Sequence, residues 1–174
     1  MFEFLKTIIH FLHSQNIPYM LPGSVAMSVY VLPRATRDFD FVINLSQEKI
    51  PLLTDHFKDD YYCDADAIKD AIWRESIFNI IDHQSGFKAD FVILKSSEYR
   101  QEEFRRRTVT DFFGTPIYIV TAEDLLISKL IWIQDSQSNL QKEDIGQLAA
   151  LADLDWDYIY QWVSNLKLNK FNLW

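Results

Sequence analysis

Apolar residues recur at helical spacing from the start of the chain. Phe4, Leu5, Ile8, Phe11 and Leu12 form one stripe, which predicts a helix over residues 2–14. Asn16-Ile17-Pro18 ends it, because Pro18 disfavours a helical residue before it. Residues 19–21 make a short apolar strand candidate. Gly23-Ser24 follows, then a short helix over residues 25–31 that Pro33 closes. From Asp38 the period changes to two: Phe39, Phe41 and Ile43 share one face, Asp38, Asp40 and Val42 the other, so residues 38–45 read as a strand. Ser46 is placed to cap a helix running to about Phe57, and residues 66–74 suit another short helix. Residues 77–82 and 87–94 are strands joined by His83-Gln84-Ser85-Gly86, a hairpin signal. Two shorter strands, 108–113 and 115–120, flank Gly114. Thr121-Ala122-Glu123-Asp124 has a capping-box pattern that opens a helix to about residue 133. Helices over 139–152 and 155–166 complete the chain. The strands cluster around hairpins, so the expected fold is α/β (α+β), with a mixed sheet flanked by helices and a C-terminal helical segment. Residues 1–120 would form the α/β core and residues 121–174 a helical segment packed on it as one compact unit.

Composition narrows the class. The chain has 174 residues, a length that fits one domain. Apolar residues at 48% and aromatics at 15% fit a packed globule. The net charge of −8 argues against a module that grips nucleic acid by broad phosphate neutralisation, although a local basic patch remains compatible with it. Cys63 is the one cysteine, so neither an internal disulfide nor a cysteine-based zinc site is available. The apolar start lacks a basic leader and a small-residue cleavage site, and no run reaches membrane-spanning length. A cytoplasmic location is the expectation, with no membrane partner.

The sharpest chemistry lies at Asp38-Phe39-Asp40. Strand periodicity puts both carboxylates on one face, about 7 Å apart at the backbone. Like charges there repel, which suits either a wet, solvated strand end or a cation between them. Oxygen-only ligation would favour Mg²⁺ or Mn²⁺. Asp90 sits inside Phe87-Lys88-Ala89-Asp90-Phe91-Val92-Ile93-Leu94. An acid among such neighbours needs a partner. If this strand neighbours the Asp38 strand, Asp90 supplies a third carboxylate; otherwise it forms a salt bridge to Lys88 or Arg37. Gly23-Ser24 opens a short helix whose free N–H groups would suit a phosphate, unless Ser24 is simply an N-cap.

Leu21-Pro22-Gly23-Ser24, Arg34-Ala35-Thr36-Arg37-Asp38-Phe39-Asp40 and Lys88-Ala89-Asp90 together resemble the nucleotidyltransferase superfamily. The Arg-x-Thr-x-Asp-x-Asp run resembles the bacterial minimal nucleotidyltransferases and the AbiEii-like toxin group. Residues 120–130, 141–148 and 154–162 are similar to that group's later helices, so the likeness spans about residues 18–162. It implies that Asp38, Asp40 and Asp90 are catalytic and bind Mg²⁺ (or Mn²⁺), with Asp90 activating an acceptor hydroxyl. Gly23 and Ser24 would cradle the β/γ phosphates of an NTP, and Lys129 would be a further phosphate contact. Arg34 and Thr36 are possible substrate or phosphate contacts. The implied reaction moves a nucleoside monophosphate from the NTP to an unknown acceptor: RNA or tRNA, protein or a small molecule. The group also implies a toxin with an antitoxin partner. The alternative is a catalytically inactive protein of this fold that binds nucleotide or another protein. Residues 134–138 read Gln-Asp-Ser-Gln-Ser where some relatives place an Arg. Asp144 reads as structural, pairing with Lys129.

Arg105, Arg106 and Arg107 would meet triphosphate or a tRNA end, or else form a solvated helix end favoured by its dipole. His10 and His13 read as half-buried packing residues, and Cys63 as inert. Trp132, Trp156, Trp162 and Trp174 read as core or interface, with Trp174 free to pack on a partner chain.

Overall fold

The computed structural model describes residues 2–31, 38–136 and 138–174. Arg34 and Thr36 lie outside the described residues. The first helix, α1, covers Phe2–Ser14 and buries the predicted stripe. A five-stranded sheet follows in the order β1-β2-β5-β4-β3. Its members are β1 (Tyr19–Met20), β2 (Asp38–Ile43), β3 (Tyr61–Tyr62), β4 (Ile77–Asp82) and β5 (Lys88–Ile93). The sheet is mixed, as expected: β2 and β5 run parallel, while every other neighbouring pair is antiparallel.

Alternation along the three central strands produces two unlike faces. Phe39, Phe41, Ile43, Phe78, Ile80, Ala89, Phe91 and Ile93 are all buried on one. There Phe91 stacks between Phe41 and Phe78, with ring centroids 4.9 Å away on each side. Such pairs contribute about 0.5–1.5 kcal/mol each beyond area burial. Helix α1 covers this face through Phe4 against Phe39. Helix α3 (Ile50–Phe57) joins it through Phe57 against Phe11 and Tyr61, and α4 (Ala65–Arg74) adds Ile68 and Ala71 to the same core. The opposite face carries Asp38, Asp40, Lys88, Asp90 and Asn79, and α2 (Gly23–Tyr30) lies against it.

The remaining elements are α5 (Glu98–Arg106), the hairpin β6 (Thr108–Phe112) and β7 (Thr115–Ile119), and then α6 (Ala122–Asp135), α7 (Asn139–Ala149) and α8 (Trp156–Asn165). Leu21 ties the hairpin to the sheet, donating to Tyr118 O at 2.8 Å and accepting from Val120 N at 3.3 Å. One hydrophobic cluster takes residues from Phe4 to Val163. The Thr121 side chain caps α6 by accepting from Asp124 N, as its motif predicts.

Several local expectations need correction. Ser24 is no N-cap: α2 begins one residue earlier, at Gly23, with Pro22 in the cap position. Ser46 does not cap α3 with its side chain; a 3-10 turn over Gln47–Lys49 comes first, and Pro51 fits the opening of the α-helix. His10 is exposed on α1, while His13 keeps an exposed edge and packs its ring against Tyr19, whose hydroxyl lies 3.0 Å from Nε2, and Tyr118. Helix α7 stops at Ala149, before the predicted residue 152. Trp174 is partly buried against Trp156 of its own chain, with ring centroids 5.9 Å apart, and Trp132 is exposed.

Candidate active site

Strands β2 and β5 are in parallel register with Asp40 directly opposite Asp90 and Asp38 directly opposite Lys88. Neighbouring strands lie about 4.8 Å apart, so the two central carboxylates face each other across a single strand spacing. The sequence places Asp38, Asp40 and Asp90 among candidates; sheet pairing sets them on one face. Burial raises the Asp40 pKa first, and the charges of Asp90 and Asp38 raise it further, while Lys88 and Lys129 pull it back.

Asp90 is held on both oxygens. Lys88 Nζ lies 2.9 Å from Oδ2, and the Asn79 side-chain amide donates to Oδ1. The Asp90 side chain is 15% exposed and that of Lys88 35%. The hydrogen bond to Asp90 is the main reason that the Lys88 pKa rises, with the charges of all three aspartates adding to it. The salt bridge from Asp90 to Lys88 is therefore present. Asn79 escaped the sequence analysis, although it is the one amide in the β4 run and faces Asp90 directly in the antiparallel register.

Gly23 closes the other side. Its φ of +65° is one that L side chains rarely adopt, and a Cβ built on it would stand 2.6 Å from Asp40 Oδ2. The backbone of the first α2 turn thus lies directly against the carboxylate. Ser24, in that turn, is half-buried.

Lys129 is buried on α6. Its ammonium donates to Asp144 Oδ2 at 2.8 Å and to Gln141 Oε1 at 2.9 Å, so the expected pairing with Asp144 is present. It still lies near enough to Asp40 to lower that carboxyl's pKa.

The three arginines at the C-terminal end of α5 lie elsewhere. Asn44 follows β2, four residues beyond Asp40, or about 13 Å along a strand. Asn44, Arg105 and Arg107 line a cleft there, with Tyr158 and Trp162. Arg105 pairs with Glu102 at the surface. Arg106 is no solvated helix end: its Nε donates to Asp124 at 3.0 Å, and its guanidinium lies 3.8 Å from the Tyr158 ring centroid. Asp124 is fully buried and also accepts from Thr121 and from Tyr158 OH. Arg107 Nη1 donates to Phe104 O, and the guanidinium lies over the Phe104 ring.

No family model and no curated protein matches this sequence. Solved structures do resemble the fold. The antibiotic-resistance factor ANT(2'')-Ia aligns with a TM-score of 0.63 at 11% identity, over 94% of this chain and 89% of its own. The lincosamide antibiotic adenylyltransferase LnuA, in a lincomycin-bound structure, aligns at 0.56 and 13% identity, over 85% and 96%. An antigenic nucleotidyltransferase-like protein from Paracoccidioides brasiliensis aligns at 0.57 and 19% identity, over 92% and 84%. The chain has a nucleotidyltransferase fold. Among the described residues, no three His, Cys, Asp or Glu side chains are placed to hold a metal ion as they stand. Asp40 and Asp90 are direct cross-strand partners on the face they share with Asp38, and oxygen donors of this kind suit Mg²⁺ or Mn²⁺.

Proposed function

We propose that the protein is a nucleotidyltransferase that moves a nucleoside monophosphate from an NTP to an acceptor hydroxyl. The observation that supports it best is the Asp40–Asp90 cross-strand pair with the Gly23 backbone against it, in a fold that known nucleotidyltransferases share. Asp38, Asp40 and Asp90 would hold Mg²⁺ or Mn²⁺, which when bound neutralises triphosphate charge. Gly23 lets the turn approach the β/γ phosphates, and the Ser24 hydroxyl and first-turn N–H groups donate to them. Asp90 takes the proton from the acceptor hydroxyl. The acceptor oxygen then bonds to the α-phosphorus, and the bond from that phosphorus to the bridging oxygen breaks, releasing pyrophosphate. Lys129 acts through Asp144 and Gln141 to hold α6 and α7 beside the site, and adds positive potential near Asp40.

A small-molecule acceptor is the reading we favour. The net charge of −8 disfavours a broad RNA cradle, and two solved structures of this fold are named for antibiotic modification or resistance. Action on tRNA or protein, as the toxin of a toxin–antitoxin pair, is the rival within the same chemistry. A second reading, a binding module without transfer, draws on one observation: Lys88 and Asn79 engage both oxygens of Asp90.

The test is incubation with each α-labelled NTP and Mg²⁺, offering a panel of hydroxylated small molecules, total RNA and protein lysate in parallel. Label transfer that Asp38→Asn abolishes supports the enzyme, and the arm that takes label names the acceptor class. Transfer that survives Asp38→Asn refutes the proposal. Retention of NTP with no transfer in any arm supports the binding module.

A further inference from the structure

Lys88 stands at an unusual place for a positive charge. It precedes Asp90 by two residues on β5, so both side chains leave the same sheet face. It also lies directly opposite Asp38 in the parallel register. Its ammonium therefore bonds Asp90 and feels the charges of Asp38 and Asp40, the three carboxylates that the proposed function assigns to a divalent cation. We infer that Lys88 is the site's internal counter-ion: its ammonium fills the cationic position, and a divalent cation binds only in exchange for it. This rests on the functional reading above.

Three observations separate this from an ordinary surface ion pair. An exposed pair serves one partner and is screened by water. Here the Asp90 side chain is only 15% exposed, and the charges of Asp40 and Asp38 act on the same ammonium. Asn79 fixes the second Asp90 oxygen, so Lys88 binds a carboxylate that is already oriented. The lysine itself is 35% exposed, and its four-carbon stem can swing the ammonium towards solvent or towards a bound triphosphate without moving the backbone. The strand can thus surrender the charge without unfolding. Such an exchange accounts for why three carboxylates are tolerated on one sheet face.

The experiment measures Mn²⁺ binding without nucleotide, by electron paramagnetic resonance counting of free Mn²⁺, on wild type, Lys88→Met, Asp38→Asn and Lys58→Met. The last removes a positive charge from the exposed pair with Asp55 and controls for overall charge. Lys88→Met should bind Mn²⁺ roughly tenfold more tightly than wild type, a difference of about 1.4 kcal/mol, while Lys58→Met stays near wild type. Lys88→Met should also melt below wild type without Mn²⁺ and recover when Mn²⁺ is added. Lys88→Gln is the second variant, should Met prevent folding. If Asp38→Asn weakens binding but neither Lys88 variant tightens it, the counter-ion is refuted and the carboxylate site stands. If wild type, the Lys88 variants and Asp38→Asn bind Mn²⁺ alike, or none binds it, the carboxylate site is refuted and the counter-ion with it.

Discussion

Gly23→Ala separates the backbone's role from the site's. The native φ of +65° imposes a left-handed conformation on the alanine, which costs about 1–2 kcal/mol. For a chain of this size each kcal/mol lowers the melting temperature by about 2–4 °C. A second effect is specific to this glycine. The new Cβ would stand 2.6 Å from Asp40 Oδ2, well inside ordinary contact, which begins near 3.4 Å. The carboxylate must retreat by most of an ångström, and misplacement on that scale costs about 100-fold in a reaction that depends on position. Gly114→Ala is the matched control. Its φ is +77°, yet nothing lies within 4 Å of the position its Cβ would take. Both variants should lose a few degrees by differential scanning calorimetry. Only Gly23→Ala should lose Mn²⁺ affinity and label transfer. Equal site function in the two variants would refute the claim that this turn is built against Asp40.

Other outcomes follow from groups outside that turn. Lys129→Met removes the ammonium from buried Asp144 and should lower unfolding stability by about 3 kcal/mol in urea titration; an unchanged midpoint would refute the pair's structural role. The His13 pKa is lowered by burial and then by His10, so the unfolded chain binds more protons just below the ordinary value of 6.5. Stability should therefore rise with pH through that window, and His13→Gln should flatten the slope measured by urea melts. Burial pushes the Cys63 thiol up to about 12, so iodoacetamide should label it slowly at neutral pH in the native protein and quickly in urea. Fast native labelling would contradict that burial.

Much of the fold was legible because apolar spacing reports one element at a time. The α1 stripe, the β2 alternation and the Thr121 cap all depend on neighbours within a few residues. Strand β3 was not legible: it is two tyrosines long, and it exists only because Tyr61 and Tyr62 pair with Asp82 and Ile81. The site divides the same way. Asp38, Asp40, Asp90 and Gly23 stand out as residue types in their local patterns. The Lys88–Asp90 salt bridge is already offered by their spacing on one strand, but what Asn79 does, and that Lys88 lies opposite Asp38, depends on register across β4, β5 and β2. Arg106 is the clearest case of a charge whose sequence neighbours mislead. Three consecutive arginines suggest a basic patch, yet the middle one is consumed by Asp124, eighteen residues away, and by Tyr158 on α8.

The pairing of β2 with β5 also has a kinetic consequence. Asp40 and Asp90 are fifty residues apart in sequence, and the β4–β5 hairpin can form before β5 meets β2. Long-range parallel pairing is slow, because the loop entropy is lost before the contact returns anything. A nascent chain that has emerged only as far as α4 has Asp38 and Asp40 but not Asp90 or the strand that carries it. Any ligand that grips both aspartates would therefore act as a clasp on the last seam of the sheet to close. Its occupancy would slow global unfolding, not merely local fraying, and the rate at which a refolding sample gains the ability to bind it would time the closure of that seam.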